Sequence, residues 1–280
     1  MRYIVAILLA LAAWLPFTFG QTAYAAAKGT ILVVASSQKE MTMANGTTSS
    51  VGFFLNELAV PAEYLQERGY RIVLATPDGQ RPYMDQGSNA KNFFGGDDAA
   101  RAKAYAFTEA LPVISLHEAL AHVAAYDAVF VPGGHAPMTD LMQDPELGKI
   151  LAYFHAQQKP TAFICHGPVA ALSALPDAAA YRRALVSRQP QAAMAAAKDW
   201  IYKGYTMTVF SDGEEWPGEV KHGTEMPFHV EQALQIAGAT VIEGPLFQSH
   251  IVHDRELITG QNPASDLALG KELADTLDQQ

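Results

Sequence analysis

The sequence predicts one α/β domain built on a doubly wound, mostly parallel sheet. Three observations carry that expectation. Continuous apolar, β-branched runs recur at Gly29–Ala35, Tyr70–Ala75, Tyr126–Pro132 and Thr161–Ile164, the pattern of strands buried on both faces. Segments of helical spacing stand between them, as in Val51–Arg68, where Leu55, Leu58, Ala62 and Leu65 recur three and four apart. The length, 280 residues, allows one large α/β domain or two small ones, and no linker rich in Pro, Gly or Ser and no internal repeat divides them.

The chain opens on Arg2, an uncharged apolar run Ile4–Phe19, and Thr22-Ala-Tyr-Ala-Ala-Ala27. A positive start, an apolar stretch and an A-x-A site read as a secretory signal peptide. Cleavage is expected after Ala25, with Ala27 as the alternative, leaving residues 26–280 as the folded domain in the periplasm or outside the cell. An uncleaved anchor is the competing reading, but the run is marginal for a span. Cleavage would remove one charge, Arg2, and take the net charge from −10 to −11. An acidic protein without a basic run is poorly suited to nucleic acid or an anionic membrane surface.

Gly29–Ala35 is the first strand, followed by a polar loop, Ser36–Ser50. The helix Val51–Arg68 ends before Gly69, and Tyr70–Ala75 is the next strand, so the first fifty residues of the domain form a βαβ unit. Thr76-Pro-Asp-Gly79 is a turn by composition. Residues 88–112 hold Phe93-Phe-Gly-Gly-Asp-Asp98 and an alanine-rich stretch, and read as an insertion over the sheet edge or near the site. Ile114–Ala124 and Pro145–Gln158 are expected helices flanking the strand Tyr126–Pro132, which Gly133-Gly134-His135 ends. Val169–Leu175 begins a helix after Thr161–Ile164, and Ala178–Trp200 is helical with a break at Pro190. Tyr205–Phe210 and Ala239–Ile242 are expected strands around a helix, Phe228–Ala237. His250–His253 and Glu256–Thr259 form a hairpin about Asp254-Arg255, and Asp266–Leu277 is the last helix.

Cys165 is the only cysteine, so no internal disulfide can form. It stands where a strand turns sharply into a helix, at Ile164-Cys-His-Gly-Pro168. A thiol at a helix N-terminus tends to ionise and become nucleophilic; the alternative is a small buried hydrophobe. In doubly wound sheets ligands bind at the carboxyl ends of the strands, which puts the loops after Pro132, Ile164 and Phe210 on one rim. The nine histidines are scattered without CxxC or HExxH spacing, and no glycine-rich phosphate loop is present. No metal and no cofactor is therefore expected.

Ala162-Phe-Ile-Cys-His-Gly-Pro168 resembles the nucleophile elbow of the DJ-1/PfpI superfamily, relatives of class I glutamine amidotransferases. Gly52–Gly79, Val131–Leu141, Thr208–Glu215 and Leu257–Asp266 resemble its heat-shock-protein-31-like, glyoxalase III branch, in the expected order along the chain. The resemblance implies a flavodoxin-like sandwich and a homodimer. It also implies Cys165 as nucleophile, His166 beside it as acid or base, and Glu57 as a carboxylate reaching the thiol. Glu215 would orient the histidine, with Glu214 as its competitor. Gly134 and the His166 N–H would form an oxyanion hole. His135, beside them in the sequence, is read as a pocket ligand, with a structural turn residue as the alternative. Asp140 is expected to cap the segment after it, and Gln261-Asn-Pro-Ala264 to be a structural turn.

The function so implied is a cofactor-independent glyoxalase III converting a small 2-oxoaldehyde, methylglyoxal, to lactate through a cysteine hemithioacetal. Repair of glyoxal adducts would use the same residues. A holdase chaperone, which should not need Cys165, and a cysteine amidase or peptidase are the alternatives.

Overall fold

The computed structural model describes residues 27–279; the predicted signal peptide, 1–25, lies outside the described residues. In chain order the elements are β1 (Gly29–Val34), the hairpin β2 (Glu40–Thr42) and β3 (Thr48–Ser50), α1 (Leu55–Glu67) and β4 (Tyr70–Thr76). Then come α2 (Asp98–Ala110), β5 (Val113–Ser115), α3 (Leu116–Ala121), β6 (Ala128–Val131), α4 (Pro145–Ala156) and β7 (Thr161–Ile164). After them run α5 (Ala178–Val186), α6 (Pro190–Ala196), β8 (Thr206–Met207), α7 (Asp212–His222), α8 (Val230–Ala237) and β9 (Thr240–Val241). The chain closes with β10 (Ile251–Asp254), β11 (Leu257–Gly260) and α9 (Asp266–Leu277).

Seven strands form the central sheet in the order β10-β11-β7-β6-β1-β4-β5. All neighbours run parallel except the edge pair β10–β11. The continuous apolar strands follow from two-sided burial. Ile31 and Val33 of β1 join the core beneath α1, α2 and α9, while Leu32 and Val34 face the core formed with α3, α4, α5 and α8. No described helix is long and apolar enough to cross a membrane.

Several boundaries differ from the sequence expectation. The polar loop 36–50 contains β2 and β3, whose alternate exposed and buried residues are too few to register as a pattern. Ile114–Ala124 is not one helix. Val113–Ser115 pairs with β4 as the sheet edge, and Ser115 then caps α3 through the Glu118 N–H. The segment after Cys165 is a 3₁₀ helix, Gly167–Ala174, apolar except for Ser173 and buried almost throughout, so it lacks the amphipathic spacing of an α-helix. Tyr205–Phe210 contributes only Thr206–Met207, paired with Thr240–Val241 outside the central sheet. Within 88–112, α2 packs against α1, and Phe93 reaches the cavity beside the site described below.

Helix α7 has no counterpart in the expectation, yet its start is written in the sequence. Ser211 accepts from the Glu214 N–H while the Glu214 side chain accepts from the Ser211 N–H, a reciprocal capping box. Gly223 ends it in the left-handed conformation.

Candidate active site

Four chain segments meet at the carboxyl edge of the sheet. They are the start of α1 with Glu57, the Gly133-Gly134-His135 turn after β6, the elbow Cys165-His166 after β7, and the first turn of α7 with Glu215. Cys165 has φ of 60°, left-handed for a residue with a side chain, a strained conformation of the kind that clusters at functional sites. The elbow is pinned on both sides: the Cys165 N–H donates to the Gly260 carbonyl, and the Cys165 carbonyl accepts from the Phe210 N–H. That over-determination is what lets the strain persist.

Cys165 and His166 are each almost fully buried. The thiol Sγ lies 3.2 Å from His166 Nδ1, and His166 Nε2 lies 2.7 Å from Glu215 Oε2. Glu215 also meets His135 Nε2 at 3.2 Å through its other oxygen. Burial would raise the Glu215 carboxyl, but the charge of His166 and the hydrogen bonds from both imidazoles hold it far below the usual carboxylate range. Glu215 is therefore an anion, which assigns the His166 proton to Nε2 and leaves the Nδ1 lone pair facing the thiol. Burial, then the neighbouring His135, push His166 below its ordinary value, against the opposing pull of Glu215. Desolvation also works against a charge on the half-buried His135, but Glu215 outweighs this and raises it. The His166 ring stacks on Phe210, with centroids 4.8 Å apart, and Phe247 meets Phe210 edge-on.

Glu57 approaches from the other side. It is fully buried, and burial pushes its carboxyl from an ordinary 4.5 up to about 8. Neither oxygen has a partner of ordinary hydrogen-bond geometry; the Cys165 thiol and the Gly133 N–H are the polar groups that face them. Pro61 stands four residues on, where it cannot donate to the Glu57 carbonyl, so α1 is loosened at the residue that reaches the thiol. The Cys165 thiol, too, is pushed well above its ordinary value by burial and then by Glu57, with the Gly134 N–H acting in the opposite sense. The expected ionised thiol at a helix N-terminus is thus corrected. The turn leads into a short 3₁₀ helix in a buried site beside a carboxyl, and desolvation outweighs any dipole. Ionisation must be coupled to a neighbouring base.

Two glycines make the approach possible. A Cβ at Gly133 would collide with Glu57 Oε2 and lie 2.6 Å from Cys165 Cβ, and one at Gly134, where φ is +87°, would strike the Gly52 carbonyl. Glu57, Cys165, His166, Glu215, Gly134 and His135 are all brought together, and Glu214 is separated from Glu215 by function. Glu214 spends its oxygens on the Ser211 cap, the Phe247 N–H and the Asn262 amide. Asp140 caps its segment and also accepts from Ser36 and Ser37, and Asn262 caps the turn it begins. The spacing argument missed Gly133, Phe210 and the grouping of His135, His166 and Glu215, whose donor atoms lie within 4.8 Å of one another. That trio comes from three separate chain segments, the turn after β6, the elbow after β7 and the first turn of α7, so no linear metal motif could reveal it.

A cavity of about 290 Å³ lined by Asn56, Phe93, Phe247, Asn262 and Asp266 opens beside the site. A larger one, about 500 Å³, lies between α5, α7 and α8 and contains none of the site residues.

Fold and site define an α/β protein with a strained cysteine elbow, a histidine oriented by a carboxylate, and a second carboxyl against the thiol. The chain belongs to the DJ-1/PfpI family, whose model matches residues 49–214. It is 28% identical over 259 residues to the protein/nucleic acid deglycase HchA of Pseudomonas aeruginosa, covering 88% of this chain and 80% of that protein. Over 204 residues it is 29% identical to the glutamine amidotransferase-like class 1 domain-containing protein 1 of Bos taurus, covering 72% and 78% of the two chains. The fold matches glyoxalase III from Candida albicans with a TM-score of 0.65 at 23% identity, over 89% of this chain and 97% of that one.

Proposed function

We propose that this protein is a cofactor-independent glyoxalase III-like enzyme that converts methylglyoxal and water to lactate, with Cys165 as nucleophile. The observation that carries the proposal is the thiol held between two proton acceptors of different kind, His166 Nδ1 at 3.2 Å and the buried Glu57 carboxyl with its value near 8. Simple hydrolysis needs one base beside the nucleophile. An aldehyde-to-acid rearrangement needs a second that can carry a proton between adjacent carbons.

In the first step Cys165 Sγ bonds to the aldehyde carbon while His166 Nδ1 takes the thiol proton. The aldehyde oxygen receives that proton, giving the hemithioacetal. Ionised Glu57 then removes the hydrogen on this carbon, and the electron pair moves to form an enediolate with its charge on the former ketone oxygen. Glu57 returns its proton to the neighbouring carbon while the C1 hydroxyl proton passes through His166 Nδ1 to the former ketone oxygen, leaving a lactoyl thioester. Water adds to that thioester, lactate departs, and the sulfur regains its proton. A carboxyl near 8 is suited to this shuttle because it is ionised often enough to abstract and basic enough to return. Glu215 holds the tautomer of His166 that leaves Nδ1 free, and the Gly134 N–H, which faces the sulfur, is placed to stabilise developing negative charge.

The similarity to HchA supports a second reading with the same residues, removal of methylglyoxal adducts from other molecules. Lactate formation from methylglyoxal without added thiol tests the first reading, and release of an unmodified amine from a preformed adduct under continuous methylglyoxal scavenging tests the second. Absence of turnover in folded protein would refute the glyoxalase assignment.

A further inference from the structure

We propose that His135, His166 and Glu215 form a binding site for one divalent transition-metal ion such as zinc, and that its occupation silences Cys165 by capturing His166. The inference rests on geometry alone and does not depend on which reaction the cysteine performs.

Two imidazole nitrogens and a carboxylate suit a metal of borderline softness, with bonds of about 2.0–2.2 Å and an open fourth position. Ligands in such a tetrahedral sphere stand roughly 3.3 Å apart, as bond lengths of that size dictate. His135 Nε2 and His166 Nε2 already lie 3.2 and 2.7 Å from the two oxygens of Glu215, and no pair among the chosen donor atoms exceeds 4.8 Å. His166 and Glu215 are immobilised by burial and by the stack on Phe210. The His135 side chain is 27% exposed, so it can turn to close the remaining edge and can admit an ion from solvent. Its ring already lies beside that of His166, with centroids 4.2 Å apart. The further charges acting on the two rings, Asp85 and Glu214, are both acidic and favour a cation.

The consequence follows from the imidazole. A metal on Nε2 sends that proton to solvent, and the ring must then carry its hydrogen on Nδ1. Nδ1 is the atom that faces Cys165 Sγ, so the lone pair able to accept the thiol proton is lost. The sulfur lies against the opposite edge of the ring and is not a ligand. This separates the proposed site from ordinary capture of metal by a reactive thiol.

The test is calorimetric titration of Zn²⁺ into the wild type, Cys165→Ala and His135→Ala, with the visible and near-ultraviolet spectrum of the Co²⁺ complex. His135→Gln substitutes where His135→Ala does not fold. The expected result is one ion per chain for the wild type and Cys165→Ala, and binding weaker by at least about a hundredfold for the His135 variant, because losing a direct ligand costs no less than the roughly 10–100-fold of losing a partner that only supports one. Cobalt should show visible bands without a thiolate charge-transfer band. Four outcomes would overturn the proposal: no stoichiometric binding by wild type, loss of binding in Cys165→Ala, a thiolate band, or undiminished affinity in the His135 variant. Binding is read directly, so absence of glyoxalase activity would leave this test intact.

Discussion

Replacing Glu57 by Gln should make the protein more stable at alkaline pH, and the size of the effect follows from its burial. The folded carboxyl titrates at about 8 instead of 4.5. Below pH 4.5 folded and unfolded chains both hold the proton and the buried carboxyl is neutral. Between 4.5 and 8 the unfolded chain has released a proton that the folded chain keeps, so stability falls as pH rises, and the contribution of this one group is fully lost above about 8. At about 1.4 kcal/mol per pH unit, the interval amounts to on the order of 5 kcal/mol. A glutamine of nearly the same shape carries no such titration. The comparison is best made in a Cys165→Ala background, which removes the thiol's own ionisation and the hydrogen bond by which it draws the Glu57 value down. Other buried acids raised by desolvation, Asp140, Asp144 and Asp266, remain in both proteins and largely cancel. Urea unfolding followed through the buried Trp200, repeated across about pH 5 to 9, reads the difference. The gap between the two proteins should widen in favour of Glu57→Gln from about pH 5 through at least about pH 8, because without the Cys165 hydrogen bond the carboxyl titrates no lower than in the wild type. A gap that does not change with pH would refute the reasoning.

Three further outcomes follow from the same geometry. Because the proton shuttle needs ionised Glu57, kcat/KM for methylglyoxal should rise with pH through about 8 and level off above it, and a profile that is flat or falls across that interval contradicts the role. Glu215→Gln removes the anion that fixes the His166 tautomer and should lower kcat on the order of 10²–10⁴-fold, measured by lactate release; retention of full rate would show that the histidine is oriented otherwise. Gly133→Ala inserts a methyl group between Glu57 Oε2 and Cys165 Cβ, and overpacking there should destabilise the fold by about 1–3 kcal/mol with loss of turnover, checked by denaturant midpoint and activity together.

The sheet was legible because its strands are buried on both faces, and burial writes itself as continuous apolar sequence. β1, β4, β6 and β7 were readable for that reason, whereas β5 was absorbed into the helix that follows it, since Val113-Ile-Ser115 at the sheet edge is only half buried. The elbow was legible from residue identity: a lone cysteine before His-Gly-Pro at a strand end. Its protonation was not, because the helix-dipole argument uses local sequence, whereas the thiol is raised first by its burial and then by Glu57, which comes from α1, over a hundred residues earlier. Glu57 itself looks like any helical glutamate until Gly133 is seen to leave room for it. Glu214 and Glu215 could be told apart only in three dimensions, although Ser211 and Glu214 three residues apart did carry the capping signal that assigns Glu214 to the helix start.

Lactate formation from methylglyoxal, with no thiol added, is the measurement that bears most directly on the proposed reaction, run on the wild type beside Cys165→Ala and Glu57→Gln. The account predicts turnover by the wild type that both substitutions abolish while the folded state is retained. Turnover that survives loss of Cys165, or none from folded wild type, would contradict it.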